Sequence, residues 1–276
     1  MPHAHLPPTL IAPETFLVHD HHHHHDHHHD HYWERFTPGV VANNSLIIRG
    51  PNPIVVDTGI AVSRQQFLHD VSAIVDPADL RWVFISHDDI DHTGNLAALM
   101  ELAPGATAVL TWLMVQRLGP TWPIPATRMR WVGDGESFDI GDRRLYAVRP
   151  PVYDSPTTRG LFDPTTGVYW AADCFATSLT EPVPTVGDLD TRQWARGMVA
   201  GGRAHSPWVS LVEEHRYQAS VDRIAALGAT TFAGAHTPVI GRAHTAAALS
   251  ALRGLPTAAV PPEPDQSTLD DALNST

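Results

Sequence analysis

The chain's 276 residues, 43% hydrophobic and 17% charged, suffice to bury the core of one large domain. A formal net charge of −12 argues against a nucleic-acid surface and against holding an anionic membrane through a basic patch. Cys174, the only cysteine, excludes an internal disulfide and a thiolate-rich metal site. It is either a wall of a site that includes its neighbour Asp173 or a small buried hydrophobe.

Residues 1–18 lack the basic and long apolar stretches of a secretion signal. No later run approaches the ~20 apolar residues of a spanning helix, so a cytoplasmic protein without a membrane partner is expected. Residues 19–31, HDHHHHHDHHHDH, form a low-complexity tract of imidazoles that hold divalent cations loosely and gain charge as pH falls through about 6.5. The tract is either a metal-loading arm or an insertion with incidental affinity, and it sets residues 1–39 apart as an N-terminal segment. Residues 40–59, VVANNSLIIRGPNPIVVDTG, predict two β-branched strands around a Gly-Pro-Asn-Pro turn. Helical spacing over 62–74 puts Phe67, Leu68, Val71 and Ile74 on one face and His69 on the exposed side. The apolar run 82–85 that follows fits a buried parallel strand.

At that strand's C-terminal end, where open α/β sheets place their sites, stands the hexad His87-Asp88-Asp89-Ile90-Asp91-His92. Carboxylates this close repel one another and resist desolvation unless a cation or hydrogen-bond donors compensate them, and a bound metal does so most economically. A solvated loop capping the helix expected from Thr93 would need only one of them, Asp91 or Thr93 itself.

Strand and helix then alternate: a strand over 106–110, a helix over 111–118, a strand over 129–132, turns at 133–136 and 139–142, a strand over 143–149, and one over 168–171 that delivers Asp173. Residues 191–227 read as mostly helical, interrupted by Gly201-Gly202 and Pro207, and contain His205 and His215. A strand over 230–233 leads to Gly234-Ala235-His236-Thr237-Pro238-Val239, whose small residues let an imidazole enter a crowded site. A helix over 244–252 completes a domain of residues 40–254, and the Pro- and acid-rich tail 255–276 is expected to be loosely packed. Trp112, Trp122, Trp131, Tyr153 and Trp208 are candidates for an apolar pocket or for the core.

The hexad resembles the HxHxDH motif of the metallo-β-lactamase superfamily, with Asp89 where most members carry the second His. An acidic residue there is similar to the H-x-E-x-D-H of flavodiiron and oxygen-binding diiron proteins. Val55-Val56-Asp57-Thr58-Gly59 resembles the superfamily's strand ending in D-T-G, and the His236 stretch resembles its G-H-G-P-V line. Together these cover about residues 40–244. The resemblance implies an α/β (α+β) fold, the αββα sandwich of two sheets between helices.

Residue by residue, it implies His87, Asp89 and Asp154 for one metal, Asp91, His92 and His236 for the other, and Asp173 bridging them. Asp57 would orient His87 or His92 through the ring nitrogen facing away from the metal, or else simply close a turn. Asp154 stands where diiron relatives carry a third His. Eighteen residues separate it from Asp173, the family's own gap, which supports substitution in register; an impaired first site is the alternative, with His205 or His215 as replacements for the missing imidazole.

Four carboxylates balance two divalent ions and leave three imidazoles, a hard donor set suited to iron or manganese, with zinc open through its higher intrinsic affinity. The resemblance implies a diiron protein that binds or reduces O2 or NO. No phosphate-binding loop or flavodoxin-like FMN domain follows His236, so turnover is expected to need a separate electron-transfer protein. The alternatives are a hydrolase of an ester, lactone, thioester or phosphodiester acting through a metal-bridging hydroxide, and a non-catalytic metal binder. A homo-oligomer is compatible with all three.

Overall fold

The computed structural model describes residues 6–23, 40–118, 124–259 and 265–274. The His tract beyond residue 23, Trp122 and residues 260–264 of the tail lie outside them. Seven strands make the first sheet, in the order β1 (Thr9–Ala12), β2 (Thr15–Val18), β5 (Ser45–Ile48), β6 (Ile54–Val56), β7 (Trp82–Phe84), β8 (Thr107–Leu110) and β9 (Met129–Trp131). The second holds six in sequence order: β10 (Ser137–Asp139), β11 (Arg144–Val148), β12 (Gly160–Asp163), β13 (Val168–Trp170), β14 (Thr231–Gly234) and β15 (Thr237–Ile240). A short ribbon of β3 (His21–His23) and β4 (Val40–Ala42) stands apart.

The period-two alternation of side chains assigns the layers. From the first sheet, Leu46, Ile48, Ile54, Val56, Phe84 and Val109 meet Leu145, Leu161, Val168, Trp170 and Ala233 of the second in one apolar core. Their neighbours Ile47, Val55, Val83, Ala108 and Leu110 point the other way, against α1 (Arg64–Ile74), α3 (Leu96–Leu102) and α4 (Trp112–Leu118). On the second sheet, Tyr169 and Phe232 turn outward to Trp194, Met198, Tyr217, Val221 and Leu252, carried by α5 (Thr191–His205), α6 (Glu214–Ala226) and α7 (Thr245–Arg253). The strands are apolar on both faces because both faces are covered, each buried Val, Leu or Ile contributing about 1.5–3 kcal/mol. The result is the αββα sandwich.

Three features depart from the sequence reading. The first sheet begins at Thr9, ahead of Val40: β2 pairs antiparallel with β5, Phe16 opposite Ile47. The helix expected from Thr93 starts only at Leu96, as α3, after a separate short helix α2 (Ile90–Thr93); the break between them is at Asn95, φ −114° and ψ 8°, next to the tightly packed Gly94, where a Cβ would lie 2.5 Å from Ala61 N and 2.7 Å from Gly59 O. The tail is not simply loose: Gln266–Asn274 forms α8. No helix among the described residues is long and apolar enough to cross a membrane.

Candidate metal centre

Pairs β6·β7 and β13·β14 are parallel, so their C-terminal ends open on a shared edge of each sheet. The chain leaves β6 at Asp57, β7 at Ser86 and His87, β13 at Asp173 and β14 at His236. Asp89 directly precedes α2 without a capping bond from its side chain, α2 carries Asp91 and His92, and Asp154 lies in the loop between β11 and β12. Two of these exits are sharp. Asp57 and Ala172 both adopt left-handed backbone, φ 57° and 52°; in Ala172 this turns the carbonyl onto Ala235 N–H at 3.0 Å, tying the Asp173 exit to the His236 loop.

All seven predicted donors converge. Asp173 Oδ2 lies 3.2 Å from His87 Nε2, while its Oδ1 lies 3.1 Å from His92 Nε2 and 3.5 Å from His236 Nε2. Asp91 Oδ2 stands 3.2 Å from His236 Nε2 and 3.5 Å from His92 Nε2. His87 Nε2 is 3.8 Å from both Asp89 Oδ2 and Asp154 Oδ1. Two donors each about 2.1 Å from one cation, at tetrahedral or octahedral angles, stand roughly 3.0–3.4 Å apart. The Asp91, His92, His236 group is near that spacing; the His87, Asp89, Asp154 group is wider.

Three buried atoms in this cluster have no hydrogen-bond partner, namely His87 Nε2, His92 Nε2 and Asp173 Oδ1. Buried polar atoms are seldom left so, and these are the atoms that face one another. Ligand atoms fall into three overlapping triads, His87/His92/Asp173, Asp91/His92/His236 and His87/Asp89/Asp154, each within 4.8 Å. The residues fit a pair of cations.

Electrostatics agree. Burial disfavours a charged His92, but Asp173 and Asp57 outweigh it and hold the imidazole well above its ordinary range. Burial and His92 press His87 down, and Asp173 carries it above its usual value. His236 is raised to about 9: burial opposes the charge, Asp173 and Asp91 favour it. Asp173, which burial alone would raise, is held well below the usual carboxylate range by His92, His87 and His236. Asp89 is raised, by burial and by Asp154 and Asp91, against the pull of His87. Without a cation, protons on the imidazoles perform the charge balance a metal would.

The surroundings explain the aim of each ring. Asp57 accepts from Ser86 N–H (2.7 Å), Ser86 Oγ (2.7 Å), Trp170 Nε1 (3.0 Å) and His92 Nδ1 (3.0 Å). Ser86 Oγ, its proton given to Asp57, accepts from His87 Nδ1 at 3.0 Å. Asp57 therefore orients His92 directly and His87 through Ser86. His236 Nδ1 donates to the Ala42 carbonyl at 2.6 Å, which leaves Nε2 facing the cluster. Asn44 stakes the same loop, donating to the carbonyls of Gly234 (3.1 Å) and Thr237 (3.0 Å).

Asp88, which the sequence reading left without a role, binds the Asp154 loop: it accepts from Ser155 Oγ at 2.9 Å, from Thr157 Oγ1 at 2.6 Å and from Arg117. On the loop's other side, Ser206 Oγ (2.8 Å) and Trp208 Nε1 (2.9 Å) donate to the Tyr153 carbonyl. The only sequence signal for these partners was the density of hydroxyls in Ser155-Pro156-Thr157-Thr158, which spacing alone cannot pair with Asp88.

Other candidates fall away. His205 and His215 are exposed, and His215 pairs with Glu213 at 3.5 Å. Cys174 packs in the core between the second sheet and its helices, where burial pushes the thiol up to about 12; it is the buried hydrophobe, not a wall of the site.

A model of the ODP family of beta lactamases matches residues 40–224. A putative diflavin flavoprotein A 1 of Thermosynechococcus vestitus is 31% identical over 133 residues, 48% of this chain and 23% of that protein. The anaerobic nitric oxide reductase flavorubredoxin of Vibrio vulnificus is 27% identical over 133 residues, 48% of this chain and 27% of that protein. The chain thus spans about a quarter of the length of these curated relatives. Among solved structures, rubredoxin oxygen:oxidoreductase of Desulfovibrio gigas superposes with a TM-score of 0.75 at 15% identity, covering 89% of this chain and 60% of that one. A fragment, residues 1–254, of the putative diflavin flavoprotein A 5 of Nostoc gives 0.72 at 18% identity, covering 91% of this chain and 94% of that one. At these identities the likeness speaks for the fold.

Proposed function

This chain belongs to the ODP family of beta lactamases, and from that premise we propose that it is a diiron protein which binds or reduces O2 or NO with electrons from an external donor. The observation that carries the reading is the division of Asp173: one carboxylate oxygen faces His87, the other faces His92 and His236, which is what a bridge between two cations requires. His87, Asp89 and Asp154 would hold one ion, and Asp91, His92 and His236 the second. Two irons would supply reversible one-electron chemistry at neighbouring centres.

The side chains do the rest. Four carboxylates favour the higher oxidation state by balancing its charge, and Asp57 and Ser86 keep both inner imidazoles turned inward. The exposed donors are carboxylates of both groups, Asp89 at 44%, Asp154 at 28% and Asp91 at 27%, against none for His87 and His92, so access would be over the carboxylates and widest at Asp89. The names of the relatives, a nitric oxide reductase and an oxygen oxidoreductase, support the choice of gas substrate.

The test is metal analysis after replacing the histidines of residues 24–31 by serine, which removes loose binding without touching β3. That strand must be spared, because it pairs with β4 and β4 ends at Ala42, the residue whose carbonyl orients His236. About two irons per chain, a visible band that bleaches on anaerobic reduction and returns with O2 or NO, and fall of iron below one per chain in Asp173→Asn are the expected results. Two zincs with ester turnover, or no stoichiometric metal, would overturn the reading.

A further inference from the structure

A cavity of about 500 Å³ is lined by Trp112, Trp131, Glu136, Arg149, Pro156 and Arg159 among others, the last two on the loop that also bears Asp154. That volume suits a small ligand. Both tryptophans were candidates for an apolar pocket or for the core; Trp112 is 58% and Trp131 60% exposed, which excludes the core and leaves two large ring surfaces in water at one opening.

The arginines are the second observation. Several nearby guanidinium groups are mated with carboxylates, Arg117 with Asp88, Arg143 with Asp142 and Asp163, Arg223 with Asp134, while Arg128 is held by the carbonyls of Met100, Ala103 and Ala106. Arg149 and Arg159 are half-buried, and among the described residues neither guanidinium makes a direct ion pair; the carboxylate that acts on Arg159, Asp134, is already engaged by Arg223 at 2.7 Å and by the Arg149 backbone N–H at 2.7 Å. Arg149 gives Nη2 to the Pro156 carbonyl at 2.8 Å and lies 5.0 Å over the Tyr153 ring; Arg159 gives Nη1 to the Thr158 carbonyl at 2.7 Å. The Nε of each is buried without a partner. Glu136 is the one acid on the lining, and its Oε2 already accepts from Gly133 N–H at 2.7 Å. Unpaired, partly desolvated cations are costly unless an anion visits them.

We propose that this cavity is a binding site for a planar aromatic anion, a heteroaromatic ring carrying a phosphate, with the ring on Trp112 and Trp131 and the anion on Arg149 and Arg159. Indole faces hold flat rings by stacking whatever their substituents, and guanidinium forks suit phosphate oxygens. The wall belongs to the loop that bears Asp154: Pro156 follows Ser155, the partner of Asp88, and Arg159 N–H donates to the Ser86 carbonyl at 2.8 Å. The site stands on these residues alone and does not depend on the identity of the metals.

The experiment uses the intact chain and two probes of different ring size, flavin mononucleotide followed by its own fluorescence and AMP followed by calorimetry. At least one is expected to bind saturably at one per chain, with its phosphate-free counterpart, riboflavin or adenosine, at least tenfold weaker. Trp131→Ala, at an exposed position, should weaken the bound probe about tenfold or more, Arg159→Gln similarly, and both variants should keep the wild-type metal content. Failure of both probes to saturate, equal binding of the phosphate-free compound, or retention of affinity in both variants would overturn the proposal. Wild-type protein that binds a probe saturably but holds no stoichiometric metal would instead count against the metal assignment and leave the cavity site standing.

Discussion

Replacing Asp57 by Asn probes the support of the centre without removing a predicted ligand. Asn tolerates the left-handed backbone of φ 57° as Asp does, so the strand exit is kept. What changes is hydrogen-bond polarity. Four donors converge on the carboxylate, one on Oδ1 and three on Oδ2, whereas an amide has one acceptor oxygen and two donor hydrogens. If the amide oxygen keeps Ser86 N–H, its NH2 faces the Trp170 indole N–H and the His92 ring. Ser86 can rotate its hydroxyl; Trp170, fully buried, has no such freedom. One unsatisfied buried donor costs about 1–3 kcal/mol of folding stability. Loss of the carboxylate behind a metal-binding imidazole typically costs about 10- to 100-fold in affinity, roughly 1.4–2.7 kcal/mol. Urea unfolding in a chelator reads the first quantity, and competition with a chromophoric chelator reads the second, which should fall mainly on the ion held by Asp91, His92 and His236. An Asp57→Asn protein that unfolds within about 0.5 kcal/mol of wild type and binds two ions within threefold of wild-type affinity would refute the reasoning.

Three further outcomes are expected. Asp88→Ala releases Ser155 and Thr157 and should weaken the ion at His87, Asp89 and Asp154 about tenfold while sparing the other, seen as a split in a two-step metal titration; a uniform change in both steps would contradict the latch. Gly94→Ala puts a Cβ within 2.8 Å of three backbone atoms, none at the end of a flexible side chain, and should destabilise by about 1–3 kcal/mol or more in urea unfolding. The third concerns pH. His236 is raised from 6.5 to about 9, so in a chelator its proton adds stability that is complete below about pH 6.5 and lost as pH rises through about 9. With iron in excess the trend reverses, because the ion competes with that proton and gains affinity as pH rises. Melting curves between pH 6 and 9.5, with and without metal, should slope in opposite directions; parallel slopes would exclude this coupling.

Single elements were legible because β-branched runs such as 45–48 and 54–56 and helical spacing over 62–74 are local patterns, whereas their stacking into an αββα sandwich was reached through the family resemblance. The hexad was legible for the same reason: six adjacent residues cannot lie far apart. Its distant members, Asp57, Asp154, Asp173 and His236, were reached through family resemblance, since nothing local joins them to one another. Composition also misled. The His tract set residues 1–39 apart although 9–18 hold strands of the first sheet, and the acid-rich tail hid α8; of the two roles open to Trp112 and Trp131, pocket or core, their exposure leaves the pocket.

Residue order alone dictates the inventory: carboxylates and imidazoles too dense to be left uncompensated, and strands that must be covered on both faces. Only the packed sheets settle which oxygen of Asp173 faces which imidazole, that Ser86 passes the grip of Asp57 on to His87, and that Asp88 turns away from the cluster to fasten the Asp154 loop. The difference is one of range. Periodicity and charge density act over a few residues along the chain, whereas hydrogen bonds such as Trp170 to Asp57, 113 positions apart, exist only once two separate sheets have packed and brought their strand ends together.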